Sequence, residues 1–447
     1  MRRILMLCLL SVLADNAAAV SIQHWELANG AQVYFVENHD LPMLDVSVDF
    51  PAGSAYDPAH QAGLASLTQR MLDQGAGGMS DTQIAEALAN VGAQLSGHFD
   101  ADRAGIVLRT LSRADDANPA LKIMSKVLEQ PAFAEPVVER ERARVIDDLV
   151  ASEGQPQSLA AIAFQKLVFA GQPYGHRENG NIDSVRSLNS VDLKSFYRSH
   201  YSAQAAVIAL TGDVTRAQAN QIAGQLTANL PSASLAASTA IAPVPALQQA
   251  VMKRIVFPSQ QSQILIGQPG VARGDPDYVA LYVGNYILGG GGFDSRLMHE
   301  VREKRGLTYS VYSYFMPMRQ AGAFQIGLQT RADKTAQALA VTQQTLANFV
   351  AQGVTAAELT QAQHSIIGGF PLRIDSNQKL LEYLAMIGFY QLPLNYLDTF
   401  PDKVAAVTAE QVKLAFQTHI HPDRMVTVVV GNAPEQPSDS KSDGATK

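Results

Sequence analysis

The chain repeats itself. The stretch from Val191 to Gly212 (VDLKSFYRSHYSAQAAVIALTG) matches that from Glu410 to Gly431 (EQVKLAFQTHIHPDRMVTVVVG) at an offset of 219 residues, so that His200 falls on His419, Tyr197 on Phe416 and Gly212 on Gly431. Asp57-Pro58 recurs as Asp275-Pro276, 218 residues later. Two separated anchors at nearly one offset mark a duplication, and whatever the first half folds into, the second must fold into as well.

Each half reads as strands, then helices, then a strand. Trp25 to Leu27 and Gln32 to Glu37 flank Asn29-Gly30, a strong hairpin signal, and Leu44 to Phe50 alternates as a third strand. Helical periodicity follows at 60–74, 80–91, 115–130 and 135–152, then a helix at 190–200 and a buried strand at 205–211. The second half runs from a strand at Gln263 to Gly267 through helices near 276–288, 333–352 and 355–369 to a strand at 425–430. This order predicts an α+β fold made of two homologous α/β rolls, each a mixed, mainly antiparallel sheet packed against helices. Residues 229–250, rich in Ala, Ser and Pro and without charge, have linker composition. The expected division is therefore 20–228, linker 229–250, and 251–433, followed by a polar, disordered tail at 434–447.

The N-terminus reads as an export signal. Arg2 and Arg3 precede an apolar run from Ile4 to Ala14, and Ala17-Ala18-Ala19 suits signal peptidase, which places the mature start near Val20. Eleven apolar residues are too few to span a bilayer, which takes roughly 20. A soluble, periplasmic or secreted protein is expected, without a membrane span. Cys8, the only cysteine, would leave with the signal, which removes disulfides, thiol nucleophiles and cysteine-zinc sites from consideration. The mature chain carries 40 acidic against 32 basic residues with no run of like charge, a poor match to nucleic acid.

Familiar catalytic patterns fail in turn. His299-Glu300 begins H-E-x-x-H, but Glu303 occupies the last position. His419-x-His421 lies beside Pro422 in a turn, with no third ligand close in sequence. His98 and His176 stand alone and read as polar loop or strand residues. No G-x-S-x-G occurs. Gly289 to Gly292 is followed by no Gly-Lys-Ser/Thr, which leaves a connection between two helices rather than a phosphate loop. Asp294 or Ser295 is expected to cap the second of these, running to Lys304 or Arg305, with Gly306 ending it. A strand from Leu307 to Phe315 follows, carrying Tyr309.

The hairpin at Asn29-Gly30, AGSAYDPAHQAGLASLTQRML, YGHRENGNIDSV, ILGGGGFDSRLMHEVREKRGLTYSV and the two repeat closings together resemble the pitrilysin and insulinase family of inverted zincins over nearly the whole mature chain. In that family a first-half helix carries H-x-x-E-H, two zinc-binding histidines and a water-activating glutamate, and a later helix supplies a third, acidic ligand. The matching helix here keeps its apolar stripe of Leu64, Leu67 and Met71, but Ser66 and Arg70 stand at the histidine positions and Gln69 at that of the base. A hydroxyl is a poor zinc ligand, a guanidinium repels a cation, and an amide takes no proton from water. Asp148 stands at the third-ligand position, with Glu141 seven residues before it. The second half keeps Arg302 and Tyr309, which match a family pair that holds the peptide and polarises its carbonyl. Gly92, Gln94 and Ser96 lie in a segment resembling the family's substrate-binding edge strand, onto which an unfolded peptide would add as a further strand.

The resemblance thus implies a chain that binds no cofactor itself and works as the zinc-less half of a two-subunit metallopeptidase, its partner a homologue bearing H-x-x-E-H and zinc. Two rival readings stand beside it: a peptide-binding or assembly protein with no part in proteolysis, and an autonomous peptidase with unusual ligands. The first expects the purified chain to hold no stoichiometric zinc by elemental analysis and to cleave no unfolded peptide alone. One tightly held metal per chain would favour the third.

Overall fold

A computed structural model describes residues 20–232 and 241–432; the expected signal and tail lie outside these residues. Alternating apolar residues build two sheets. The first joins β1 (Gln23–Glu26), β2 (Gln32–Glu37), β3 (Met43–Phe50), β4 (Gln94–Phe99), β5 (Ala104–Leu111) and β6 (Val207–Gly212) in the order β1-β2-β6-β3-β5-β4. The second joins β7 (Val251–Val256), β8 (Gln261–Pro269), β9 (Val311–Phe315), β10 (Ala323–Arg331) and β11 (Val426–Gly431) in the order β7-β11-β8-β10-β9. Apart from the added β1, the two orders correspond strand for strand. Only β2 with β6 and β7 with β11 pair in parallel; every other neighbour is antiparallel. The repeat offset is exact at the closings, where helices Ser190–His200 and Ala409–His419 precede β6 and β11. The hairpin forms at Asn29-Gly30 as expected, with Gly30 at φ +89°, a left-handed conformation that glycine adopts without cost.

Five helices escape the sequence reading: Pro156–Val168, Ile182–Ser187, Arg216–Thr227, Asn377–Phe389 and Tyr396–Ala406. Two of them decide the architecture. The first-half helix Pro156–Val168 packs on β8 and β11 of the second sheet, while the second-half helix Asn377–Phe389 packs on β3 and β6 of the first. Phe164 and Val168 share a core with Leu265, Val426 and Val428, and Tyr34, Val36 and Ala209 share one with second-half residues. Close approach at these crossings needs glycine. A Cβ on Gly267 would stand 2.7 Å from the Phe164 ring, and one on Gly388 would stand 2.7 Å from both Tyr34 and Val207. The halves therefore exchange helices rather than fold side by side, and the second part of the expected linker joins the seam, with Ile241 buried and its carbonyl accepting from Gln320 Nε2.

A buried carboxylate fastens the same seam. Asp102, fully buried, accepts from Tyr174 Oη at 2.6 Å, Tyr390 Oη at 2.8 Å and the Arg319 backbone N–H at 2.7 Å. Burial, reinforced by this negative charge, pushes both phenols above their usual range and keeps them donors. Two of the three donors belong to the second half. Asp102→Ala would strand one buried and two part-buried donors, and a loss of about 3 kcal/mol in unfolding free energy is expected. Calorimetry should show a single unfolding transition at lower temperature, because the exchanged helices keep the two halves one cooperative unit.

Candidate functional site

The helix Leu64–Arg70 is set by its entry. Gly63 turns at φ +94°, and the carboxylate of Asp57, from the first Asp-Pro anchor, accepts from the N–H groups of Gly63 and Ala65 at 2.7 Å each. Leu64, Leu67 and Met71 are buried as expected. The opposite face presents the former chemical positions. Arg70 reaches across to the helix Glu135–Glu153, its Nη1 3.8 Å from Glu141 Oε2 and its Nη2 3.8 Å from Asp148 Oδ2. Glu141, almost wholly buried, is also gripped by Arg140 at 3.0 Å and Arg144 at 2.6 Å. Ser66 Oγ donates to Asn179 Oδ1 at 2.6 Å, and the Gln69 amide fills the space over Gly97 of β4. The fold thus brings Arg70 and Asp148 together as the resemblance implies, but with a guanidinium between the carboxylates. That charge occupies the space and the ligands a divalent ion would need, so these residues do not fit zinc.

Arg302 and Tyr309 meet in a cleft of about 760 Å³ whose walls come entirely from the second half. Arg302 ends a helical segment, Met298–Glu303, wound more loosely than an α-helix, and its guanidinium lies 4.6 Å from the centroid of the Phe293 ring. The segment closes at Gly306, φ +59°, whose N–H donates to the Arg302 carbonyl. No side chain caps its start. Ser295, expected as a cap, is buried and turns its hydroxyl back to the Gly292 carbonyl at 2.7 Å. The glycine run makes a tight reversal because Gly289 lies against Ser313, whose Oγ would be 2.4 Å from a Cβ at that position. Asn285 pins the same place, donating to the Ser313 carbonyl and accepting from its hydroxyl.

Tyr309 corrects the sequence reading. It stands on a loop, 89% exposed, because β9 begins only at Val311. Before that point side chains replace the ladder: the Thr308 hydroxyl bonds the Gln329 and Ser310 carbonyls, and Thr330 Oγ1 donates to the Leu307 carbonyl. The phenol is thereby held out over the cleft with no partner of its own among the described residues. Tyr312 and Tyr314 continue the wall as a stacked pair, centroids 5.7 Å apart, and burial pushes Tyr314 up to about 12. Gly92, Gln94 and Ser96 belong to a different place. Gln94 and Ser96 are exposed on β4, the open edge of the first sheet, with Gly92 in the turn before it.

The histidines dissolve into ordinary roles. His299 pairs with Glu303 at 2.8 Å on an exposed helix surface. His98 sits 3.3 Å from Asp100, and His176 Nδ1 donates to the Arg177 carbonyl within its own loop. His419 does find carboxylates, contrary to expectation from spacing: Asp277 lies 2.9 Å from its Nε2, and with Asp275 these form the only group of three potential metal ligands among the described residues. Asp275 Oδ1 is already engaged by the Asp277 N–H at the start of a helix, and His421 does not join them.

A twice-wound sheet-and-helix roll with an ion pair across the metal position and a tyrosine-lined cleft in its other half is a peptidase scaffold divested of its metal ligands. The chain belongs to the M16, or insulinase, family of peptidases. Residues 33–177 match the model for insulinase (peptidase family M16), and residues 187–366 that for the M16 inactive domain. The crystal structure of an M16 inactive domain from Pseudomonas fluorescens is 38% identical, with a TM-score of 0.89, and the alignment covers 93% of this chain and 98% of that one. A non-peptidase homologue, YmxG, from Helicobacter pylori is 23% identical over 97% of this chain and 99% of its own length. The structure of a protease from Helicobacter pylori shares the fold, with a TM-score of 0.85 at 17% identity, covering 92% and 99% of the two chains.

If Arg70 stands where a metal would be, restoring the ligands should restore the ion. The triple variant Ser66→His/Gln69→Glu/Arg70→His is expected to bind one zinc per chain in equilibrium dialysis, using Glu141 or Asp148 as the third ligand. No gain of zinc over the parent chain would place the lost site elsewhere.

Proposed function

We propose that this chain is the zinc-less subunit of a two-chain periplasmic metallopeptidase, binding unfolded peptide and supplying Arg302 and Tyr309 to a reaction whose zinc sits in a homologous partner carrying H-x-x-E-H. The observation that carries the reading is the contrast between the two halves. Arg70 cancels the metal position with an ion pair, while Arg302 and Tyr309 converge on one open cleft. An exposed phenol can donate to the oxyanion that develops on an attacked carbonyl, and a guanidinium fork can hold a neighbouring backbone carbonyl. Neither group activates water, so cleavage needs a second chain. The names of the Pseudomonas inactive domain and the Helicobacter non-peptidase homologue agree with a chain inactive alone. The export signal supports the periplasm, and no helix among the described residues is long and apolar enough to cross a membrane.

Peptide is expected to pair along an open sheet edge. The β4 edge with Gln94 and Ser96, which no strand covers among the described residues, serves both this reading and the second, a peptide holder with no part in cleavage. The two readings separate in one experiment. With the zinc-bearing partner added, cleavage should appear, and Tyr309→Phe should lower kcat by roughly 10²-fold, the usual cost of one oxyanion donor, without weakening assembly. Wild-type turnover by the Tyr309→Phe complex would remove Tyr309 from the chemistry. Peptide binding with no cleavage in any reconstituted complex would favour the holder.

A further inference from the structure

A second cavity, of about 310 Å³, adjoins the Arg302/Tyr309 cleft and shares Tyr282 and Arg373 with it. It lies at the seam between the halves. Arg103 enters from the turn between β4 and β5, Arg273 from the loop after β8, and Arg373 from the turn after helix Ala356–Gly369, over walls that include Tyr278, Tyr282 and Tyr383. Three guanidinium groups thus face a small space with one carboxylate, Glu382. Arg103 is partly spent, on Asp100 at 2.9 Å and Asp49 at 3.7 Å. Arg273 and Arg373 enter no ion pair among the described residues. The Arg273 Nε is buried with no acceptor, its guanidinium resting on the Tyr390 ring at 5.2 Å. The Arg273 side chain has no hydrogen-bond or ion-pair partner among the described residues, so the rest of its fork is left for a ligand in the cavity that supplies an acceptor.

Resting on the proposed peptide-binding role of the adjoining cleft, we infer that this cavity is a carboxylate subsite, in which Arg273 and Arg373 bind the free C-terminal carboxylate of a peptide lying in the cleft while the tyrosines enclose its last side chain. Planar guanidinium forks match a carboxylate two hydrogen bonds at a time. The volume is at the small end of ligand pockets, which run from roughly 300 Å³, and suits a chain end rather than a passing segment. The shared wall at Tyr282 and Arg373 gives the direction, with the carboxyl end of the peptide beyond Arg373 and the remainder towards Arg302. Such a subsite would favour short peptides with free ends over the interior of long chains.

The test uses the full chain and two kinds of probe. N-acetyltyrosine is compared with N-acetyltyrosine amide by thermal shift, which needs no occupancy of the cleft. The acid should raise Tm and the amide should not, and both Arg273→Gln and Arg373→Gln should abolish the rise. If one variant fails to fold by circular dichroism, the other carries the comparison. Equal shifts from acid and amide, or none from either, would overturn the subsite. Fluorescein-labelled decapeptides are then titrated by anisotropy as free acid, as C-terminal amide, and as an amide ending in Glu. The free acid should bind about tenfold tighter or more than the plain amide, and Arg273→Gln should remove that preference. An equal gain from the Glu-ended amide would assign the subsite to carboxylates in general. A Tm response to N-acetyltyrosine with no binding of any decapeptide would leave the subsite standing and bring down the peptide-binding reading instead.

Discussion

The exchange of one helix between the halves is the contact on which the rest of the molecule depends. Each sheet has a face that only the other half can cover: Pro156–Val168 lies on β8 and β11, and Asn377–Phe389 on β3 and β6. An apolar sheet face left to water would forfeit roughly 25 cal/mol for each Å² exposed, so neither half has a closed core alone. The glycines at 267 and 388 let each helix approach its adopted sheet, and Asp102 then ties the two phenols and the Arg319 amide across the junction. Cleft and basic cavity both sit beside this seam, and Arg103 reaches the cavity from the first half because the seam carries it there.

The lost metal position was rebuilt as an electrostatic unit. A helix bearing only Ser66, Gln69 and Arg70 still faces Glu141 and Asp148, and two carboxylates facing each other without a cation would repel. Arg70 supplies the positive charge, joined by Arg140 and Arg144 around the buried Glu141. One guanidinium, with its fixed fork, does the structural task of a bound cation without its Lewis acidity. The helix Leu64–Arg70 thus stays seated against Glu135–Glu153 with an ion pair between them.

The duplication and the hairpin were legible because each rests on spacing within the sequence, whereas the edge at Gln94 and Ser96 and the placing of Asp148 came only with the family resemblance. The helix exchange was not legible. Pro156–Val168 and Asn377–Phe389 are apolar over much of their surface, and periodicity says that such a helix is covered without saying by what. Tyr309 was misplaced for a related reason. Leu307 to Phe315 alternates like a strand, but Thr308 and Thr330 satisfy the carbonyls a ladder would need, and the chain joins the sheet only at Val311, two residues after Tyr309. The carboxylates beside His419 were missed because Asp277 is 142 residues away in sequence and becomes a neighbour only through the fold.

Read backwards through the duplication, the crossed helices constrain ancestry. A lone repeat, before the gene doubled, would have possessed a sheet with one uncovered face and a helix suited to cover just such a face. Its route to solubility was to lend that helix to a twin and borrow the twin's in return, a swapped symmetric pair. Fusion then made the loan permanent and, by joining the two copies, freed each to mutate without the other, so that a side chain could change in one copy while its counterpart stayed.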